Sequence, residues 1–152
     1  MSRDAIRIRD ASLRDRELLE ALQRRASAVW EEYREQLAAH PDAIELSPAF
    51  VENGWVRIAA LPDGPPVGFS VVIPGGGRVL ELDDLFVEPD DMHHGIGTIL
   101  VQDVFRRARG GGAEVIEVIA GPAQGFYEKL GFEVVASAET RFGPAVRMRR
   151  RL

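Results

Sequence analysis

The chain has 152 residues, with 19 basic and 24 acidic side chains and a formal net charge of −5 at neutral pH. This length is typical of one domain, which we expect to span residues 1–152 and to bury about two-thirds of its unfolded surface. The excess of acidic residues disfavours proteins that bind nucleic acid through a broad basic face, so no nucleic-acid partner is expected.

The chain contains no cysteine, which excludes disulfides, thiolate metal sites and cysteine nucleophiles. It begins Met-Ser-Arg-Asp without an apolar signal segment and has no apolar run long enough to span a bilayer. We therefore expect a cytoplasmic protein without a membrane partner. In the last residues of the chain, Met148 alternates with arginines. This pattern favours a solvated sheet edge over a site for polyanions. These arginines are Arg147, Arg149, Arg150 and Arg151.

The first third of the chain predicts one strand and two helices. The strand covers residues 6–8, and Ser12 with Asp15 resembles an N-cap box for a helix from about residue 13. A second helix covers residues 31–39 and ends before Pro41, because proline disfavours helix in the preceding residue. Residues 41–54 show no clear period and predict a loop that ends in a turn.

The remainder predicts a mixed sheet. Strands at residues 55–60, 67–73 and 80–87 form an antiparallel meander with a glycine-rich hairpin loop at residues 74–77. A helix then leads to a buried strand at residues 115–119 by a right-handed crossover. A short helix at residues 122–130 and closing strands at residues 132–136 and 145–148 follow. The order β-α-α-β-β-β-α-β-α-β-β is that of an α/β fold with helices on both faces of the sheet.

A pair of glycines, Gly95 and Gly97, follows the central strand. Residues without a Cβ let the backbone turn sharply, and a helix that begins near Thr98 presents unpaired N–H groups and about half a positive charge. This junction suits an anion, phosphate above all. The alternative is a tight strand-to-helix turn without a ligand. Two other phosphate motifs are excluded, because no Gly-Lys-Ser/Thr triplet exists and Leu100 replaces the third glycine of the dinucleotide fingerprint.

Two segments resemble motifs of the GNAT acetyltransferase superfamily. Val87-Glu88-Pro89 followed by Gly95-Ile96-Gly97-Thr98 is similar to its motif A. Residues 125–132, Gly-Phe-Tyr-Glu-Lys-Leu-Gly-Phe, resemble its Phe/Leu-Tyr-Glu-Lys-Leu-Gly-Phe segment. Met92 stands where motif A has Gln or Arg, so a side-chain contact to a pyrophosphate would come from His93 or His94.

The resemblance implies a six- to seven-stranded mixed sheet whose central strand and following parallel strand splay apart. It also implies acetyl-CoA as co-substrate, with the pantetheine arm between residues 85–87 and 115–119 and bonded to the strand backbone. The implied cofactor-binding residues are Leu85, Phe86, Val87, His93, His94, Gly95, Ile96, Gly97 and Thr98.

Acetyl transfer to an amine requires a base, because an amine with a pKa of about 10.4 is protonated at neutral pH. By strict alternation Glu81 and Asp83 share a strand face with Leu85, and Asp84 lies opposite unless a bulge reverses the faces. The resemblance indicates Glu81 as the catalytic base. From their position on the same strand, Asp83 is the second catalytic candidate and Asp84 a candidate for binding the acceptor. The alternative for all three carboxylates is a solvated strand end or pairing with arginines.

Tyr127 is the candidate catalytic acid. By the resemblance, a tyrosine at this point protonates the departing thiolate, and a phenol within hydrogen-bond reach can supply that proton. The alternative is a core tyrosine whose hydroxyl caps a backbone carbonyl. The thioester carbonyl would be polarised by a backbone N–H near Leu85 or Phe86.

The acceptor pocket is expected along residues 30–53, where Trp30 and Tyr33 could receive a cationic amine. The same aromatic side chains could equally belong to the core. His93 and His94 stand beside two aspartates, but no further histidine is near in sequence, so no metal is expected.

The sequence therefore predicts an N-acetyltransferase in which a primary amine attacks acetyl-CoA directly in a ternary complex. One rival is a CoA-binding sensor or interaction module without turnover. A second is an acyltransferase for a longer acyl-CoA, for which Gly121, Ala123 and Gly125 leave room. The identity of the amine stays open, as does the oligomeric state, with a homodimer among the alternatives.

Overall fold

The computed structural model describes residues 5–152, apart from the side chain of Glu32. Its strands are β1 (Arg7–Asp10), β2 (Val56–Ala60), β3 (Pro66–Pro74), β4 (Val79–Val87), β5 (Val115–Ala120), β6 (Glu133–Thr140) and β7 (Gly143–Arg151). Its helices are α1 (Arg16–Ser27), α2 (Glu31–Ala39), α3 (Pro48–Glu52), α4 (Ile96–Gly110) and α5 (Gln124–Lys129). None of the helices within residues 5–152 has the length and apolar character needed to cross a bilayer.

The strands form one seven-stranded mixed sheet in the order β1-β2-β3-β4-β5-β7-β6. Strands β4 and β5 are parallel, whereas β1 with β2, β2 with β3, β5 with β7 and β6 with β7 are antiparallel. The parallel register runs from Val79 opposite Val115 to Leu82 opposite Val118. Strand β4 continues to Val87, so its second half extends past this register. The predicted α/β mixed sheet is confirmed.

The backbone divides into two compact units, and β3, β4 and α4 each contribute residues to both. The first unit contains the described residues up to Val71 together with Asp84–Asp103. One of its core clusters joins the strands to the first turns of α4 and consists of Ile6, Ala59, Val67, Ile96 and Leu100. Leu85 and Val87 of β4 pack against the same cluster. The end of β4 and the start of α4, which flank residues 88–95 (the glycine loop), are therefore held by shared apolar contacts.

The second unit contains Val72–Asp83 and Val104–Leu152. Its aromatic side chains pack in series: Phe105 stacks on Phe132 with ring centroids 6.0 Å apart, and Phe132 meets Tyr127 edge-on with centroids 5.4 Å apart. The Arg150 guanidinium lies 5.1 Å from the centroid of the Phe105 ring, and its Nε donates to the Leu130 carbonyl at 3.1 Å. This arrangement links the end of α5 to β7.

The predicted N-cap box is present, but it opens a 3₁₀ turn at Leu13–Asp15 and not the α-helix itself. The Ser12 N–H donates to Asp15 Oδ2 at 2.8 Å, and the Asp15 N–H donates to the Ser12 carbonyl at 2.9 Å. Arg9 then donates twice to the Asp15 carboxylate, at 3.0 and 3.2 Å. The same aspartate thus caps the turn that leads into α1 and anchors it to β1.

Two sequence-based expectations are wrong. Residues 41–54 are not all loop, because a 3₁₀ turn at Pro41–Ala43 and helix α3 lie within them; a helix of 5 residues is too short to show a period. The arginines of β7 do not form a solvated edge, because β7 lies between β5 and β6. Arg147 and Arg149 instead pair with Glu117 of β5, at 3.6 and 2.8 Å.

Candidate active site

The glycine loop connects β4 to α4 through a short 3₁₀ turn at Pro89–Asp91. Gly95 has a φ of +83° and His93 a φ of +67°, which is the left-handed region that glycine adopts without strain. Helix α4 begins at Ile96, and the Ile99 N–H donates to the Gly95 carbonyl at 3.0 Å. Gly97 and Thr98 therefore lie inside the first helical turn and not before it.

The first turn of α4 carries N–H groups that receive no acceptor from the helix itself. By helix geometry the first N–H groups have no carbonyl four residues earlier to receive them. Gly95, Gly97 and Thr98 are half-buried, whereas the Ile96 side chain is 2% exposed. Ile96 thus anchors the turn in the core while its neighbours stay in contact with solvent. This geometry suits an anion held by the backbone.

The second half of β4 is fixed from both faces. Leu85 and Val87 pack against the cluster that contains Ile96. The Phe86 ring lies 5.7 Å from the ring of Phe69 on β3. Just beyond the strand, the Glu88 N–H donates to the Val67 carbonyl at 2.8 Å. This part of β4 runs past its register with β5. Its backbone is therefore suited to bond to an extended ligand.

His93 and His94 are exposed. They lie directly before Gly95 in the chain. Among residues 5–152 no group of three or more histidine, aspartate or glutamate side chains is arranged to hold a metal ion.

The two candidate catalytic carboxylates lie in different surroundings. Glu81 stands opposite Glu117 in the parallel register, and Glu117 accepts hydrogen bonds from Arg149 at 2.8 and 3.2 Å. Asp83 remains exposed to solvent, yet the surrounding protein desolvates its carboxyl and raises its pKa above the ordinary value. A carboxylate with a raised pKa is the better proton acceptor at neutral pH. Asp84 is half-buried and belongs to the first unit.

Tyr127 is buried on α5, with a side chain 6% exposed. Its ring packs edge-on against Phe126 at 5.1 Å and against Phe132 at 5.4 Å. The helix ends immediately afterwards, where Gly131 has a φ of +89°. The tyrosine ring is therefore held firmly by aromatic neighbours in the second unit.

Trp30 and Tyr33 mark the start of α2. Trp30 is the N-cap residue, 36% exposed, and its carbonyl accepts the Tyr33 N–H at 3.0 Å. Tyr33 is half-buried. The structure thus places these two predicted acceptor residues together at one helix end in the first unit.

Three features near the loop had no signal in the sequence analysis. Gly68 of β3 approaches both β4 and α4. Arg57 of β2 pairs with Asp103 of α4. Arg25 donates to Glu88 at 2.6 and 2.8 Å and so ties the end of α1 to the start of the loop. The partners in each case are far apart in the chain, so no local spacing reveals them.

A sequence model of the acetyltransferase (GNAT) family matches residues 16–132. The peptidyl-lysine N-acetyltransferase YjaB of Salmonella typhimurium is 34% identical over 95 residues, which cover 62% of this chain and 61% of that protein. The aligned segment thus spans about three-fifths of that relative.

Solved structures resemble the fold over almost the whole chain. The PaiA N-acetyltransferase of Thermoplasma acidophilum, in complex with coenzyme A, matches with a TM-score of 0.79 at 21% identity and covers 97% of this chain and 99% of its own. The N-acetylglutamate synthase of Neisseria gonorrhoeae, with coenzyme A and N-acetyl-glutamate, matches with a TM-score of 0.73 at 20% identity. The match covers 97% of this chain and 35% of the synthase.

Proposed function

The chain belongs to the acetyltransferase (GNAT) family, and we propose that it transfers an acetyl group from acetyl-CoA to a primary amine in a ternary complex, without a covalent enzyme intermediate. The observation that carries this proposal is the junction of β4 and α4. There Gly95 adopts a φ of +83°, and Gly97 and Thr98 in the first turn of α4 are only half-buried. Backbone N–H groups at such a junction bind phosphate.

In this proposal the cofactor is held by backbone more than by side chains. The pyrophosphate contacts the N–H groups from Gly95 to Thr98, with His93 and His94 at the rim. The pantetheine arm bonds to the backbone of Leu85, Phe86 and Val87, which extends past the parallel register with β5. Bound acetyl-CoA supplies a thioester carbonyl that an amine can attack.

The base that takes the amine proton is Asp83 or Glu81. The raised pKa of Asp83 favours it, because a base whose pKa lies closer to neutrality accepts a proton more readily. A backbone N–H near Leu85 or Phe86 would polarise the thioester carbonyl.

Tyr127 donates a proton to the departing thiolate in this scheme. Its packing between Phe126 and Phe132 fixes the ring, and a fixed phenol loses less entropy when it donates than a mobile one.

The acceptor is a primary amine, with Trp30, Tyr33 and Asp84 as candidate contacts. YjaB is named as a peptidyl-lysine N-acetyltransferase, which supports a lysine side chain as the first amine to test. We further infer a cytoplasmic enzyme without a metal, membrane or nucleic-acid partner, and a single domain over residues 1–152 that is compatible with a homodimer.

Two measurements test the function. Calorimetry with CoA and acetyl-CoA should give binding in the micromolar range that is typical of enzyme substrates. A thiol-release assay against lysine peptides, polyamines and amino acids should then give turnover with at least one amine. Tyr127→Phe should keep acetyl-CoA affinity within about twofold and lower kcat by about 10²-fold or more. An absence of CoA binding at millimolar concentration contradicts the proposal.

A further inference from the structure

Gly68 of β3 lies against both parts of the chain that are proposed to hold the cofactor. A Cβ built at Gly68 would lie 3.0 Å from the Phe86 carbonyl oxygen of β4. It would lie 3.2 Å from Ile96 Cγ2 and 3.1 Å from Leu100 Cδ1, both on α4. Contacts this short are rare for real Cβ atoms. One absent methyl group therefore makes room for a strand and a helix at once.

The lack of room for a side chain, and not the backbone conformation, explains why residue 68 is a glycine. Gly68 is not among the residues with positive φ, so its backbone is open to any residue. A glycine inside a strand weakens the strand, and it often marks a place where another backbone approaches closely. The approaching backbone here is that of Phe86.

The neighbours of Gly68 cannot move away easily. Ile96 is 2% exposed and Leu100 is fully buried, and close-packed interiors transmit displacement instead of absorbing it. Beside Gly68, the Val67 carbonyl accepts the Glu88 N–H at 2.8 Å, which pins the end of β4 to β3. An added methyl group would therefore shift the Phe86 backbone and the first turn of α4 by a few tenths of an ångström.

We propose that Gly68 is a positioning residue for the cofactor. Because it lacks a Cβ, it sets how closely the Phe86 carbonyl and the Ile96 turn lie to β3, and so where the backbone groups that bind CoA are placed. Gly68 itself touches no cofactor atom in this proposal. The inference rests on the proposed function, since it assumes that the β4 to α4 junction binds CoA.

The test is Gly68→Ala, with CoA affinity measured by calorimetry on the purified protein and Tm measured by scanning calorimetry. We expect CoA binding to weaken by about tenfold, since small misplacements at a preorganised site have large effects. The matched control is Gly110→Ala in the last turn of α4, where a Cβ would meet nothing within 4 Å. This control should bind CoA as the original protein does.

Two further variants separate positioning from loss of stability. Leu19→Val removes one carbon from a fully buried side chain of α1, outside the residues proposed to hold the cofactor, and should lower Tm without weakening CoA binding. Gly68→Ala/Leu100→Val removes the Leu100 Cδ1 atom that the new methyl would meet and should recover part of the affinity. If Gly68→Ala alone does not fold, this double variant is compared with Leu100→Val.

The outcomes are distinguishable. Folded Gly68→Ala with unchanged CoA affinity overturns the inference, as does an equal loss of affinity in Leu19→Val. Failure of the original protein to bind CoA overturns the proposed function instead.

Discussion

Arg57 of β2 and Asp103 of α4 form a two-point ion pair, with Nε 3.2 Å from Oδ2 and Nη2 3.2 Å from Oδ1. The Asp103 side chain is 2% exposed and that of Arg57 18%. Arg57 also donates to Asp10 of β1 at 3.1 Å. The pair fastens the middle of α4 to two strands of the first unit, two turns after the glycine loop.

Removing one partner of this pair should lower the free energy of unfolding far more than removing both. Asp103→Leu removes the buried partner of Arg57, leaves the exposed Asp10 beside it, and should lower the free energy of unfolding by about 3 kcal/mol, measured in urea. Arg57→Met/Asp103→Leu should recover most of that loss, because neither charge is then desolvated. Asp10→Asn changes a carboxylate that is 62% exposed and should cost less than about 1 kcal/mol. Equal losses for Asp103→Leu and Asp10→Asn would contradict this account.

Asp15 should make the protein acid-sensitive. The hydrogen bonds from Arg9, and then those from Ser12, lower its pKa from 3.8 to about 2, against the opposing effect of burial. A lowered folded-state pKa stabilises the fold above the unfolded pKa, and the contribution disappears as the pH falls through about 2. Asp15→Asn should therefore be less stable by about 2 kcal/mol at neutral pH.

The difference in free energy of unfolding between the original protein and Asp15→Asn should shrink as the pH falls from 5 towards 2. A difference that stays constant over that range would show that the Asp15 charge is not responsible. Glu114→Gln serves as the control, since the Arg78–Glu114 pair is 72% and 67% exposed and exposed pairs contribute about 0–1 kcal/mol.

Substitution of Asp83 should affect stability and activity in opposite directions. Desolvation by the surrounding protein raises its pKa, so the charged form is less favourable in the folded state than in the unfolded chain and lowers stability above its folded-state pKa. Asp83→Asn should therefore be at least as stable as the original protein at neutral pH. If Asp83 is the base, the same variant should lower kcat by about 10²-fold or more.

Glu81→Gln distinguishes the two candidate bases, and it should keep kcat within about fivefold if Asp83 acts. In that case kcat should also fall on the acid side, as Asp83 becomes protonated. A large loss with Glu81→Gln and none with Asp83→Asn would return the role to Glu81.

His93 and His94 should contribute to affinity for the cofactor and not to the chemical step. His93 has a φ of +67°, and asparagine tolerates that conformation well, so His93→Asn removes the imidazole without adding backbone strain. We expect His93→Asn/His94→Asn to lower the affinity for CoA by about three- to tenfold and to leave kcat at saturating acetyl-CoA unchanged. Dephospho-CoA and CoA titrations should give equal losses if the contact is to the pyrophosphate. Unaltered affinity would mean that the loop backbone binds CoA alone.

The capping box and the glycine loop could be predicted because each depends on residues that are close in sequence. Ser12 and Asp15 are three positions apart, and Gly95 lies between an apolar strand and an apolar helix. The start of α4 was predicted two residues late, near Thr98 instead of Ile96. Helix α3 was missed because its 5 residues span little more than one turn.

Strand order could not be predicted for the arginine-rich end of the chain. Arg147 and Arg149 alternate with Met148 in the same way whether β7 is an edge strand or an interior one. The Glu117 side chain that pairs with them lies 32 residues before Arg149. Whether β7 is an interior strand therefore depends on which strand lies beside β5 in the sheet.

The sequence by itself determined the elements, the strand–glycine–helix junction and the family motifs, because steric freedom at glycine, apolar periodicity and capping act within a few residues. Only the tertiary structure decided that Asp103 is buried beside Arg57, that the surrounding protein raises the pKa of Asp83, and that Gly68 of β3 lies close to Phe86 and Ile96. Each of these depends on which atoms pack around a side chain. Those atoms come from segments tens of residues away, and local preferences carry no information about them.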